Sequence, residues 1–190
     1  SEDVSRILLI RHGDRFDYAN PSWLVKAAQH GTLVTDPPLS PLGHKQAQET
    51  AEHLVSLLKE RSSSSSSSSE VVAKILVSPY LRVLQTACPL SDALNVPLSI
   101  ETGLSEAHAT PGVLPTTTAR FSYFPQVDPS YESLLEVEPT PGFTCPKTGH
   151  PCEAFAGRYV QRMERFARAL EEAHDGETVV CYSHAASTAL

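Results

Sequence analysis

Long apolar runs are missing: none of the 190 residues belongs to a stretch near the roughly 20 consecutive apolar residues that a membrane-crossing helix needs. The opening residues, SEDVSR, have neither the basic start nor the apolar stretch of a secretory signal. Cysteine is scarce. The four present (Cys88, Cys145, Cys152 and Cys181) are too few to staple a small secreted scaffold, so a reduced, cytoplasmic protein is expected. Positive charge is in deficit as well. A formal net charge of -7 speaks against nucleic acid as a partner for the whole surface, while leaving room for a small basic pocket. Hydrophobic residues at 41% and charged residues at 19% are ordinary for a globular chain, and the length suits a single domain over 1–190.

Cys145 and Cys152 bracket the loop CPKTGHPC, with His150 between them. Zinc usually takes four ligands at tighter spacings, and no second cysteine pair accompanies this one. Neither a zinc site nor a disulfide is expected there.

Strand and helix signals alternate, which predicts an α/β fold: a three-layer sandwich with a mainly parallel sheet and helices on both faces. Arg6 to Ile10 (RILLI) reads as a strand buried on both sides. Ser40-Pro41 opens a helix, with Ser as N-cap and Pro at the first helical position, and Ala47, Ala51, Leu54 and Leu58 form one apolar stripe along it. Val71 to Val77 is a second strand, and Ser78-Pro79 repeats the cap-plus-proline opening. Pro89 is expected to kink or divide the helix that follows. Val96 to Ile100 is a third strand. A long helix is predicted over Glu153 to His174, with Phe155, Tyr159, Met163, Phe166 and Leu170 on one face; Asp175-Gly176 ends it and Thr178 to Tyr182 is another strand.

Two segments stand apart. The serine run from Ser62 to Ser69 reads as a flexible, solvated connection. Residues 108–151, rich in Pro, Thr and Gly, show no clear periodicity and read as an insertion or lid. Because a parallel strand normally feeds a crossover, the fold is expected to continue past the last residues, with its C-terminal part missing here.

Chemistry-bearing residues collect at strand ends, where open α/β sheets bind ligands. The first strand runs into Arg11-His12-Gly13-Asp14-Arg15. Gly13 permits a sharp turn and close approach to a ligand. Guanidinium groups hold phosphate oxygens through paired charge-assisted bonds, and their charge keeps a neighbouring imidazole unprotonated and nucleophilic. The second strand ends in SPYLRVLQTA, placing Arg82 one turn into a helix, and the last ends in Tyr182-Ser183-His184-Ala185. Asp14, beside two arginines, should stay ionised and suits orienting work.

The order RHGDR, SPYLRVLQTA, GLSEAH and SHA resembles the histidine phosphatase superfamily, the phosphoglycerate-mutase-like group, from Ile7 to His184. RHG with Asp14 and Arg15, GLSE, and the run CEAFAGRYVQRMERFARAL look most like the suppressor-of-T-cell-receptor-signalling phosphatase branch. The resemblance implies a phosphoglycerate-mutase-like fold and a metal-independent phosphatase acting on phosphate monoesters, with no cofactor. It implies His12 as the nucleophile that becomes phosphohistidine, and Arg11, Arg15, Arg82 and His184 as the groups that hold the phosphoryl oxygens. Glu106 matches the family's proton donor; His108, close by, is not expected to be catalytic. The implied substrate is a phosphorylated small molecule or a phosphoprotein.

Departures narrow the branch. Arg15-Phe16-Asp17 stands where sugar-phosphate mutases of the group carry Ser or Thr before a Trp-Asn pair. The acid phosphatase pattern of RHGxRxP and His-Asp is also missing, since Asp17 fills the proline place and Ala185 follows His184. The competing readings are a phosphotransfer mutase and a phosphatase-like module that binds phosphate without turnover.

Overall fold

Short β-branched and leucine-rich runs form a parallel sheet, because helices pack over both of its faces. The structure, a computed structural model, describes residues 6–29, 33–64, 71–107, 109, 114–145 and 149–189. In chain order the elements are β1 (Arg6–Arg11), α1 (Phe16–Ala19), α2 (Trp23–Gln29), α3 (Pro41–Ser64), β2 (Val72–Val77), α4 (Leu81–Leu94) and β3 (Leu98–Ile100). A 3-10 turn (Thr102–Leu104), α5 (Thr117–Phe121), a π-helical turn (Phe155–Tyr159), α6 (Val160–Ala173) and β4 (Thr178–Ser183) complete the described core. None of the described helices is long and apolar enough to cross a membrane.

The strand order is β1-β4-β2-β3, and every pairing is parallel. Val180 of β4 sits between Leu8 of β1 and Ile75 of β2. Alternation along the strands then feeds two cores. Ile75, Val77, Val180 and Tyr182 pack with Ala51, Leu54 and Leu58 of α3 and Val83, Leu84, Ala87 and Leu90 of α4. Leu76, Val179 and Cys181 face the other way, against Leu104 and against Phe166 and Leu170 of α6. The result is the three-layer α/β sandwich that the sequence predicts.

The helix start at Ser40-Pro41 is as expected: Ser40 Oγ accepts the Gly43 N–H at 3.0 Å, and the predicted α3 stripe is buried throughout. Several expectations are corrected. Among the described residues β1 is an edge strand with Ile7 and Leu9 about 40% exposed (43% and 40%), not a strand buried on both faces. α3 continues into the serine run as far as Ser64, because serine costs a helix only a few tenths of a kcal/mol and a long packed helix carries it (about 0.5 kcal/mol per residue); Ser65 to Ser69 lie outside the described residues. α4 begins at Leu81, not at Ser78-Pro79, and it runs unbroken through Pro89. The first turn of the predicted long helix is π-helical, with Gly157 at φ +84°, and regular α-helix starts only at Val160. Tyr159, Phe166 and Leu170 are buried as expected.

Among the described residues of the 108–151 segment the one regular element is α5, too short to show a period. Its described part is anchored through buried polar groups. Glu101, fully buried just after β3, accepts hydrogen bonds from the Tyr131 and Ser133 hydroxyls and from the Leu134 and Leu135 N–H groups. Arg120 of α5 forms a buried ion pair with Asp36, whose other oxygen accepts the Leu81 N–H at 2.7 Å. A side chain remote in sequence therefore caps α4.

Candidate active site

Three neighbouring strands end level with one another. The His12 N–H bonds the Ser183 carbonyl and the Ser78 N–H bonds the Tyr182 carbonyl, each at 3.0 Å. His12, Ser78 and His184 therefore stand side by side just past β1, β2 and β4. The turn after His12 is tight against α3. A Cβ on Gly13 would come within 2.7 Å of the Gly43 carbonyl oxygen, and one on Gly43 within 2.2 Å of the Asp14 oxygen. Gly13 is thus needed for contact between two backbones, and it also lines the cavity beside His12.

His12 is buried, and its Nδ1 lies 2.7 Å from the Gly13 carbonyl. A carbonyl only accepts, so Nδ1 carries the proton and Nε2 presents a lone pair. Burial, joined by the charges of Arg82, Arg11 and Arg15, lowers the His12 pKa to about 4, although the Gly13 bond works the other way. His184 is completely buried, and desolvation together with the Arg82 charge lowers its pKa well below the usual histidine range. Its Nδ1 accepts from Arg82 Nη2 at 3.1 Å, so its Nε2 donates to Ser78 Oγ at 2.8 Å. The two rings meet edge to face, 5.4 Å apart.

Arg82, the second residue of α4, is 2% exposed and stacks on the Tyr80 ring at 4.6 Å. Among the described residues, its Nε and Nη1 are buried with no hydrogen-bond partner. Burying donors of a cation without an acceptor is costly, which marks a place where an anion belongs. Glu106 closes this side: its Oε2 is 3.3 Å from His184 Nδ1 and 3.5 Å from Arg82 Nη2, while its Oε1 accepts the Ala107 N–H at 3.1 Å.

His12 also lines a cavity of about 420 Å³, together with Arg11, Asp14, Arg15, Tyr18, Gln46 and Thr86 among others. Arg15 is held there by Asp17, through bonds of 3.0 and 2.7 Å to its two carboxylate oxygens, and it lies over the Tyr18 ring at 4.4 Å. The Asp14 carboxylate accepts the Ser40 hydroxyl at 2.6 Å. The candidate residues thus gather around His12: Arg82, Glu106 and His184 contact one another, and Arg11 and Arg15 line the cavity. His108 lies outside the described residues.

Ligand atoms of His12, Glu106 and His184 fall within 4.8 Å of one another, a spacing a metal ion could use. Both His184 nitrogens are already engaged, and Arg82 and Arg15 bear on the same space. The field there favours an anion over a cation. Around Cys145 and Cys152 the loop closes through an antiparallel bridge between Thr144 and Pro151, and all four cysteines are thiols. No group of three metal-ligating side chains is found there among the described residues.

Sequence reasoning missed three participants. Ser78 reads as a helix cap but serves His184. Tyr80 packs edge-on against the His184 ring at 4.9 Å and under Arg82. Arg162, on α6, is 4% exposed and pairs with the equally buried Glu153. Its signal was available: it lies three residues after Tyr159 and four before Phe166, on the apolar face of its helix.

The sequence profile of the histidine phosphatase superfamily (branch 1) matches residues 7–190, and this chain belongs to that superfamily. A curated relative, the transcription factor tau 55 kDa subunit of Saccharomyces cerevisiae, is 29% identical over 106 residues, which is 54% of this chain and 21% of that protein. The ecdysone phosphate phosphatase of Bombix mori, solved in complex with tungstate, superposes with a TM-score of 0.64 at 22% identity, over 95% of this chain and 73% of that one. YhfR of Bacillus stearothermophilus gives a TM-score of 0.53 at 19% identity, covering 97% of this chain and 76% of that one. A mycobacterial glucosyl-3-phosphoglycerate phosphatase gives 0.52 at 20%, with the same coverage of 97% and 76%. These likenesses establish the shared α/β fold.

Proposed function

We propose that this chain is a metal-independent phosphatase that hydrolyses phosphate monoesters through a phosphohistidine on His12. The observation that carries the reading is the buried Arg82, whose unpartnered Nε and Nη1 lie beside a neutral histidine with a free Nε2. A phosphoryl group supplies the acceptors those donors lack. In the first step His12 Nε2 attacks phosphorus and the ester P–O bond breaks, with the leaving oxygen taking a proton from Glu106. Arg82, Arg11 and Arg15 stabilise the charge that spreads over the equatorial oxygens. His184, expected from the resemblance to hold phosphoryl oxygens itself, has both ring nitrogens engaged and acts by holding Arg82 Nη2. In the second step water loses a proton to Glu106 and attacks phosphohistidine, releasing phosphate and restoring neutral His12.

The substrate class is a phosphorylated small molecule or a phosphoprotein. Of the branches of the superfamily, the suppressor-of-T-cell-receptor-signalling phosphatases fit the Arg15-Phe16-Asp17 run best, and four free thiols suit the cytoplasm. A second reading is favoured by one relative. The matched yeast protein is named as a subunit of a transcription factor, so a domain of this type can belong to a larger assembly, where the pocket would bind phosphate without turnover.

Turnover decides between them. The purified chain, assayed with a nitrophenyl phosphate in the presence of a chelator, is expected to release phosphate, and His12→Ala to release none. Mass spectrometry after alkaline quenching should find the phosphoryl group on the His12 peptide, since phosphohistidine is acid-labile. Phosphate on any other residue, or a chain that binds phosphate but never releases it from an ester, overturns the proposal.

A further inference from the structure

Glu106 is carried by neither a strand end nor a helix. It follows the 3-10 turn at Thr102–Leu104, in extended chain whose carbonyls have no sheet or helix partner. Its own side chain is held by contacts of 3.1 Å to its neighbour's N–H, 3.3 Å to His184 Nδ1 and 3.5 Å to Arg82, none of which fixes the backbone before it. Something else must place the backbone beneath it.

That support comes from α6. Arg162 donates through Nη1 to the Gly103 carbonyl and through Nη2 to the Ser105 carbonyl at 3.1 Å and the Glu106 carbonyl at 3.4 Å. The same guanidinium is fixed by Glu153, Nε to Oε1 and Nη2 to Oε2, each at 2.8 Å. Glu153 also reaches the far side of the loop, where its N–H bonds the Ala109 carbonyl at 3.1 Å. One buried ion pair thus grips the chain both before and after Glu106.

Burying such a pair is weak evidence of a gain in stability, because desolvation offsets most of the attraction. A planar fork aimed at three carbonyls of one turn is instead a device for fixing geometry. We infer that Arg162 is a positioning residue for the Glu106 carboxylate, acting through the 103–106 backbone with Glu153 as its anchor. The inference rests on the reading of Glu106 as proton donor. Lysine cannot replace the fork, since a single ammonium cannot address Glu153 and all three carbonyls in one plane.

The experiment compares Glu106→Gln, Arg162→Lys and the double variant on an alkyl phosphate, whose leaving group needs a proton, and on a nitrophenyl phosphate, whose leaving group does not. Circular dichroism sets the folded fraction. Glu106→Gln should lose about 100-fold more kcat/KM, which reports the leaving-group step and not the shared hydrolysis of phosphohistidine, on the alkyl ester than on the aryl ester. Arg162→Lys should show the same preference at about 10-fold, and should add no selectivity to Glu106→Gln. A merely structural role would lower both rates in step. Should Arg162→Lys fail to fold, Glu153→Gln with Arg162→Met leaves no unpaired buried charge and must show the same selectivity. Equal loss on both esters from the folded Arg162 variants, while Glu106→Gln stays selective, overturns the positioning role alone. An unselective Glu106→Gln overturns the donor reading itself, and the role of Arg162 with it.

Discussion

His184 Nε2 lies 2.8 Å from Ser78 Oγ, a bond between residues 106 positions apart that joins the ends of β4 and β2. Because Arg82 occupies Nδ1, this bond settles which ring nitrogen of His184 carries its proton. The serine that opens SPYLR is therefore diverted from capping α4, and Asp36 caps the helix in its place.

Ser78→Ala should leave a buried N–H unpaired at His184. A loss of about 1–3 kcal/mol in urea unfolding is expected, together with a mixed His184 tautomer by nitrogen NMR and a fall in kcat. Ser78→Thr, which keeps the hydroxyl, should retain the tautomer. An unchanged tautomer in the alanine variant would count against the bond.

Acid should unfold the protein earlier than its carboxylates alone would dictate. The folded His12 pKa, about 4, lies below the usual 6.5, so between those values the unfolded chain binds more protons than the folded one. Stability is complete above pH 6.5 and is lost as pH falls toward 4, at about 1.4 kcal/mol per pH unit from His12, with His184 acting in the same direction. Denaturant titrations across this window should show a shallower slope in His12→Gln than in the parent chain.

Arg82→Met tests whether the buried guanidinium is held for ligand rather than for fold. The apo protein should stay within about 2 kcal/mol of the parent, because two unpartnered donors disappear while His184 Nδ1 loses its donor. Phosphate or vanadate should then no longer raise its melting temperature. A collapse in stability with anion binding intact would reverse the assignment.

The Asp36–Arg120 pair ties α5 to the start of α4. Asp36→Ala is expected to cost about 3–5 kcal/mol, since it strands a buried arginine and uncaps the helix bearing Arg82. Adding Arg120→Met should restore much of that loss. Strictly additive effects in the double-mutant cycle would show that the two residues do not act together.

Local rules made much of this molecule legible in advance. Apolar runs of strand length, the Ser40-Pro41 cap and the Ala47 to Leu58 stripe are properties of neighbouring residues, and they determine α3, the strands and the sandwich by periodicity alone. The RHG, SPYLR and SHA runs were legible for the same reason, each being a short segment at the end of a strand. The sequence by itself thus determined which residues stand at the sheet edge. Tertiary structure decided what each of them touches. The exposure of β1 follows from the strand order, the release of Ser78 from capping follows from Asp36 arriving 45 residues away, and the support of Glu106 follows from α6 packing across the 103–106 turn. A buried polar group takes whichever partner the packed chain brings within reach, and that choice carries no local period to read.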